Sequence, residues 1–142
     1  MSVAKILDQK GRAVITGSAA QTLHEASKLM AEHRIGALVV GGVDGTVAGI
    51  LSERDIVKAV ANSGAGALND PVAAHMTKRV VTCVASSSIN DVMEMMTAGK
   101  FRHVPVLKEG RLDGMISIGD VVKHRLAELE HESRTLRDFI AS

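Results

Sequence analysis

The stretch GILSERDIV (residues 49–57) returns 65 residues later as GMISIGDVV (residues 114–122). Glycine opens both copies, two apolar residues follow, and Ser-x-x-Asp comes next: Ser52 with Asp55, then Ser117 with Asp120. Working outward, SVAKIL (residues 2–7) is echoed by PVAAHM (residues 71–76), and AVIT (residues 13–16) by VVTC (residues 80–83). TLHEASKLM (residues 22–30) parallels SINDVMEMM (residues 88–96), and IGALVV (residues 35–40) parallels FRHVPV (residues 101–106). A period of about 66 residues therefore spans nearly the whole chain, and a duplicated unit is the first constraint on the fold.

Composition bounds what such a unit can be. The chain has 142 residues, enough for one compact domain or two very small ones. Apolar residues make up 46% and aromatics only 1%, with no Trp or Tyr, so Val, Ile, Leu, Met and Ala must fill the core. A net charge of +1 argues against strong non-specific attraction to nucleic acid or an anionic membrane. Cys83 is the single cysteine, which excludes an internal disulfide and points to a reducing compartment. There is no signal-peptide pattern and no apolar run of membrane-spanning length, so a soluble cytoplasmic protein is expected.

Each copy reads as strand, helix, strand, turn, strand, helix. Thr22 and Glu25 have the spacing of a capping box, and Leu23, Ala26, Leu29, Met30 and His33 follow at helical intervals. Ile89, Val92, Met93 and Met96 repeat that stripe. ALVV and VPVL are short apolar runs suited to strands covered on both faces. Asp44-Gly45 signals a tight hairpin, and KEGRL (residues 108–112) a looser one. Small and breaker residues from 61 to 71 mark the junction, and Asp70-Pro71 suits the cap and first position of a new helix. The expected organisation is repeat 1 (1–62), linker (63–71), repeat 2 (72–126) and a C-terminal helical extension (127–142). A half of about 60 residues buries too little surface to be secure alone. Pairing the halves sheet to sheet would give one core, a pseudo-two-fold axis and two equivalent grooves.

Ser-x-x-Asp admits two readings. Serine after a strand is a good helix N-cap, and an acid in the first turn suits the helix dipole. The same groups also suit a ligand: amides and a hydroxyl at a helix start attract an anion, and a fixed carboxylate can hold a vicinal diol. Anion plus diol describes a nucleotide. Capping alone does not require Asp at that position in both copies, and the residues leave the choice open.

The repeat, the two G-h-h-S-x-x-D stretches (h apolar) and RHVPV (residues 102–106) together resemble a tandem pair of cystathionine-β-synthase (CBS) domains, a Bateman module, from about residue 3 to 123. The resemblance implies an α/β (α+β) fold: two β-α-β-β-α repeats packed through their sheets with pseudo-two-fold symmetry, plus the C-terminal helix. It implies adenosine ligands in the clefts: AMP first, with ATP, ADP, NAD(H) and S-adenosylmethionine as alternatives. Carried over residue by residue, Asp55 and Asp120 would hold ribose hydroxyls, and Ser52 and Ser117 would contact ribose or phosphate. Thr16 and Thr82 would lie near the base or sugar, beside apolar walls from Ile15 and Val81. Arg102 and His103, in the strand that carries Pro105, would meet phosphate. One cleft would set residues 14–16 against Ser117 and Asp120; the other would set Val81, Thr82 and Phe101 against Ser52 and Asp55. Gly36 and Ala37 align with Arg102 and His103, so the first repeat offers space instead of charge, although it adds Arg54. The clefts are thus expected to differ, and three or four cationic groups favour a monophosphate.

Other features weigh less. Leu126, Leu129, Ser133, Leu136 and Ile140 form a heptad seam, with Glu130 placed to pair Arg134. The seam fits either a tail helix on its own domain or a homodimer contact, and the family favours the dimer. The six histidines lack the i, i+4 spacing of a metal pair, so no metal is expected. Cys83 reads as core, and no catalytic set is recognisable. The sequence thus points to a non-enzymatic adenine-nucleotide sensor acting on an unknown regulated protein. The alternative is a structural interaction module with empty clefts. The chain is too short to add the catalytic barrel that such repeats accompany in inosine-monophosphate dehydrogenases.

Overall fold

In the computed structural model, which describes residues 2–141, the chain runs α1 (Val3–Lys10), β1 (Thr16–Gly17), α2 (Leu23–His33), β2 (Ala37–Gly41), β3 (Val47–Ser52), α3 (Glu53–Ser63), β4 (Cys83–Val84), α4 (Ile89–Gly99), β5 (His103–Lys108), β6 (Arg111–Ser117) and α5 (Ile118–Ala141). Short 3₁₀ turns occupy Val43–Gly45, Ala65–Asn69 and Val72–Ala74. Residues 1 and 142, the outer limits of the expected organisation, lie outside the described residues.

Local chemistry sets the helix starts. Thr22 Oγ1 accepts the Glu25 amide at 3.1 Å, and Glu25 Oε1 accepts the Thr22 amide at 3.3 Å, completing the capping box. Ser88 Oγ likewise accepts the Asp91 amide at 3.0 Å to begin α4. Each capping interaction supports its helix by about 1 kcal/mol.

The two sheets repeat one topology. β1 runs parallel to β2, which pairs antiparallel with β3; β4, β5 and β6 copy that order. The opening strands are only two residues long, because residues 13–15 and 80–82 form no ladder. The hairpins reverse the expected ranking of tightness. Glu109 (φ 52°) and Gly110 (φ 79°) alone link the paired Lys108 and Arg111, whereas Asp44 and Gly45 belong to a five-residue loop between the paired Gly41 and Val47. Both loops place two residues in the left-handed region, which the two-residue turn at Glu109 and Gly110 requires to match the twist of its strands.

Alternation along the strands assigns their faces. Leu38 and Val40 face the core of the first half, and Val104 and Val106 that of the second. Val39 and Pro105, one residue out of phase, are also buried, on the opposite face of each sheet.

The opening segment of each repeat packs with the other one. Val3, Ile6 and Leu7 of α1 are buried among Cys83, Ile89, Val92, Val104 and Ile116 of the second half. Val72 and Met76 serve the first half in the same way, beside Leu23, Leu38 and Leu51. Backbone bonds fix both plugs: Val3 N–H to Ser87 O at 2.9 Å, and Val72 N–H to Gln21 O at 2.7 Å. Burying each large apolar side chain in such a plug stabilises by roughly 1.5–3 kcal/mol. The plugs differ in length. The helix expected to start at Pro71 is only the turn Val72–Ala74, whereas α1 runs for eight residues.

The glycines that open the repeated motif sit beneath these plugs. A Cβ on Gly114 would lie 2.6 Å from Leu7 Cδ2, and one on Gly49 2.8 Å from both Met76 Sδ and the Thr77 carbonyl. Residues 127–141 continue α5 without a break, and Glu130 pairs Arg134 at 3.7 Å as the spacing predicts. Val122, Leu126, Leu129, Leu136 and Ile140 are exposed along this helix, so the tail is not laid down on its own domain.

Candidate functional site

Both Ser-x-x-Asp stretches fall at a strand-to-helix junction, and both cap the helix. Ser52 Oγ accepts the Asp55 amide at 3.2 Å, while Asp55 Oδ2 accepts the Ser52 amide at 2.9 Å and its hydroxyl at 3.1 Å. Ser117 Oγ accepts the Asp120 amide at 3.1 Å, and Asp120 Oδ2 accepts the Ser117 amide at 2.9 Å. Capping therefore accounts for one carboxylate oxygen in each copy. Among the described residues no protein group donates to the other oxygen, Oδ1, of Asp55.

Asp55 borders a cleft of about 670 Å³ between the halves, a size within the usual range of small-molecule sites. Nine of the expected site residues line it: Gly36, Ala37, Ser52, Arg54, Asp55, Val81, Phe101, Arg102 and His103. The first half supplies the start of β2 and the β3–α3 junction. The second supplies residues 79–81 and the α4–β5 junction, so residues of both halves border the cleft. Val80, Val81 and Phe101 form the apolar part of the wall.

The cleft is more basic than the sequence suggested. Lys58, Arg79 and Lys100 join Arg54, Arg102 and His103, giving six basic side chains against Glu53 and Asp55. Lys58 was recoverable from spacing, since it lies three residues beyond Asp55 on the same face of α3. Arg79 and Lys100 each stand directly ahead of an apolar wall segment, a weaker signal. Arg54 joins the halves, its Nη1 donating to the Lys100 carbonyl at 3.4 Å. The left-handed backbone of Lys100 (φ 58°) ends α4 and turns the chain into the cleft wall.

His103 sits where the two halves come together. A Cβ on Gly36 would lie 3.5 Å from its Cε1 and 3.0 Å from Glu53 Oε1, so the space opened by Gly36 is what admits both side chains. Burial lowers the His103 pKa below the ordinary histidine value; nearby Glu53 and Asp120 oppose this, while Lys10 and Arg102 assist it. An anion held beside His103 would act against that lowering, because a nearby negative charge favours the protonated imidazole.

The other six expected residues lie elsewhere. Ile15 packs on the first core, Thr16 is exposed in β1, and Pro105 is buried in β5 opposite Met115. Thr82 is half-buried just before β4 and does not border this cleft. Ser117 and Asp120 are at the pseudo-equivalent junction, and Asp120 is held by Lys10 Nζ at 2.7 Å. Burial pushes the Asp120 carboxyl upward. The Lys10 ammonium and the Ser117 amide and hydroxyl outweigh it, leaving the group below the usual aspartate value.

Burial raises the Cys83 thiol to about 11, in keeping with a core residue. Among the described residues, no three His, Cys, Asp or Glu side chains are grouped to hold a metal ion, and no helix is long and apolar enough to cross a membrane.

Comparison with known proteins agrees with this geometry. The family model for the CBS domain matches residues 11–62 and 72–127. The mitochondrial CBS domain-containing protein CBSX3 of Arabidopsis thaliana is 34% identical over 123 residues, covering 84% of this chain and 60% of that protein's length. The crystal structure of the CBS-domain containing protein ATU1752 from Agrobacterium tumefaciens superposes with a TM-score of 0.85 at 52% identity, covering 87% of this chain and 92% of the other. The CBS domain protein PAE2072 from Pyrobaculum aerophilum, complexed with AMP, gives 0.79 at 26% identity over 94% and 99% of the two chains. Two matched repeats, the paired three-stranded sheets and the Ser-x-x-Asp junctions place the chain in the CBS-domain family, as a tandem CBS pair.

Proposed function

We propose that this chain is a non-enzymatic regulatory module that binds an adenine nucleotide in the cleft bordered by Asp55. One observation carries the reading: a carboxylate with an uncommitted oxygen stands at a helix start, across from an apolar wall and within a ring of basic side chains. Asp55 Oδ1 takes a ribose hydroxyl, and Val80, Val81 and Phe101 cover the base. Arg54, Lys58, Arg79, Lys100, Arg102 and His103 receive phosphate. AMP is the first ligand to try, as the one bound by the Pyrobaculum aerophilum relative. ATP, ADP, NAD(H) and S-adenosylmethionine share its adenosine.

Thermal unfolding tests this directly. A ligand at 100 times its dissociation constant stabilises by about 2.7 kcal/mol, which should raise the midpoint by roughly 5–10 °C for a chain of this size. No shift with any of these compounds would overturn the reading.

The exposed apolar residues of α5 favour a homodimer through that helix, by which the nucleotide signal reaches a partner protein. Sedimentation should show a dimer that Leu129→Glu combined with Leu136→Glu converts to monomer.

A further inference from the structure

The half-buried ring of His103 borders the cleft without a hydrogen bond of its own. His103 opens β5 and pairs with Ser117 of β6, and the Arg102 carbonyl just ahead accepts the Ile118 amide at 2.8 Å. The backbone beneath the ring is therefore fixed. The side chain meets the first half over Gly36, where an added Cβ would lie 3.5 Å from Cε1 and 3.0 Å from Glu53 Oε1. Among the described residues no group hydrogen-bonds either ring nitrogen, and neither nitrogen is closed off from solvent. The Glu53 carboxylate accepts no hydrogen bond either.

Charged groups reach this ring from each element around it. Glu53 comes from α3, Lys10 from α1 and Asp120 from α5, with Arg102 next to it in the chain. Arg54, Lys58, Arg79 and Lys100 line the rest of the cleft. Lys10 and Asp120 are joined at 2.7 Å, so their opposite pulls on the imidazole largely cancel. Burial and Arg102 then act against the proton and Glu53 favours it, leaving the ring below the ordinary histidine value. One more anion beside the ring would act with Glu53, since an opposite charge within about 4–6 Å favours the charged form.

We propose that His103 couples nucleotide binding to proton uptake: the imidazole meets the phosphate uncharged, takes one proton from the buffer as the nucleotide settles, and holds it as a cation. This rests on the reading of the Asp55 cleft given above. Histidine is the basic side chain whose charge changes near neutral pH, and the cleft has one among its six basic residues. Such a site grips phosphate more firmly as pH falls, by at most about tenfold per unit for a single proton. The effect spans the interval from the raised midpoint of the complex down to the lowered midpoint of the free protein.

Calorimetry counts the proton directly. AMP, with ATP in parallel, would be titrated at about pH 7, where a phosphate with a second pKa of about 6 is mostly dianionic. The slope of observed heat against buffer ionisation heat gives the protons taken up. The parent should take up more than His103→Gln, a difference that cancels any proton the phosphate itself exchanges. Adenosine, which lacks the phosphate, should show no such difference. Across about pH 6.5–8 the parent's affinity for AMP should fall more steeply than the variant's, by up to about tenfold per unit. NMR titration of the His103 Cε1 proton needs no variant, and its midpoint should rise when nucleotide saturates the cleft. Equal counts in the two proteins, the same difference with adenosine, or a His103 midpoint unmoved by bound nucleotide would each overturn the coupling and leave the cleft reading in place. Binding of neither nucleotide would remove the cleft reading and the coupling with it.

Discussion

Asp55 and Ser52 hold each other through three hydrogen bonds of 2.9–3.2 Å, and a single carboxylate oxygen accepts two of them. Asp55 is thereby held in place before any ligand arrives, and its Oδ1 has no donor among the described residues. Asp55→Ala should cost about 1 kcal/mol of stability as a lost cap. It should also weaken AMP by about 10–100-fold, since a hydrogen bond to a charged group contributes about 1.5–3 kcal/mol and 1.4 kcal/mol is tenfold. Ser52→Ala removes the hydroxyl and leaves the carboxylate, so its effect on affinity should be the smaller one. Calorimetry alongside chemical denaturation separates the two losses.

Six basic residues line the same cleft, and the phosphate of a nucleotide should be what they recognise. Arg102→Glu should weaken AMP at least tenfold while changing adenosine by less than about threefold, because each tenfold step needs only about 1.4 kcal/mol of changed charge interaction. Raising salt should weaken AMP binding more than adenosine binding. Equal losses for the two compounds would show that Arg102 shapes the cleft without meeting phosphate.

The Lys10–Asp120 pair carries a pH signature. Asp120 is depressed in the folded protein, so its contribution to stability is present above the ordinary aspartate value of about 3.9 and is lost as pH falls through the lower folded value. Acidification below about pH 4 should therefore destabilise the parent chain more steeply than Lys10→Met. Carboxyl titration by NMR should show the Asp120 midpoint moving up in that variant.

The motif glycines answer to packing and not to the ligand. At Gly49 a new methyl group would meet the Thr77 carbonyl, which is held by its bridge to Ile50, whereas at Gly114 it would meet only the flexible end of Leu7. Gly49→Ala should cost about 1–3 kcal/mol, as overpacking generally does, and Gly114→Ala less. Denaturant midpoints for the two variants check the order.

These details mark where the sequence was and was not readable. The two repeated units and the helix starts were legible because they rest on short-range rules: apolar spacing, and capping residues three apart. Nine cleft residues were named through the family resemblance, which the repeated motif carries and which transfers a site residue by residue. Three things escaped, each for want of a local signature. The basic side chains Arg79 and Lys100 enter the cleft only through the meeting of the halves. The commitment of Asp120 depends on Lys10, distant by 110 positions in the chain. The plug formed by residues 3–7 was visible as a repeat of residues 72–76, but nothing in either stretch says which core it will enter.

That last arrangement has a mechanical consequence. With Val3, Ile6 and Leu7 seated beneath β6, the front of the polypeptide is moored to the half encoded last. A cut within residues 64–70 would not release two independent bodies, since each fragment would lack the wedge that closes it. Force or strain applied ahead of residue 3 would be felt first around Ala85 and Ser87, which hold Ala4 and Val3 by backbone bonds in the second half.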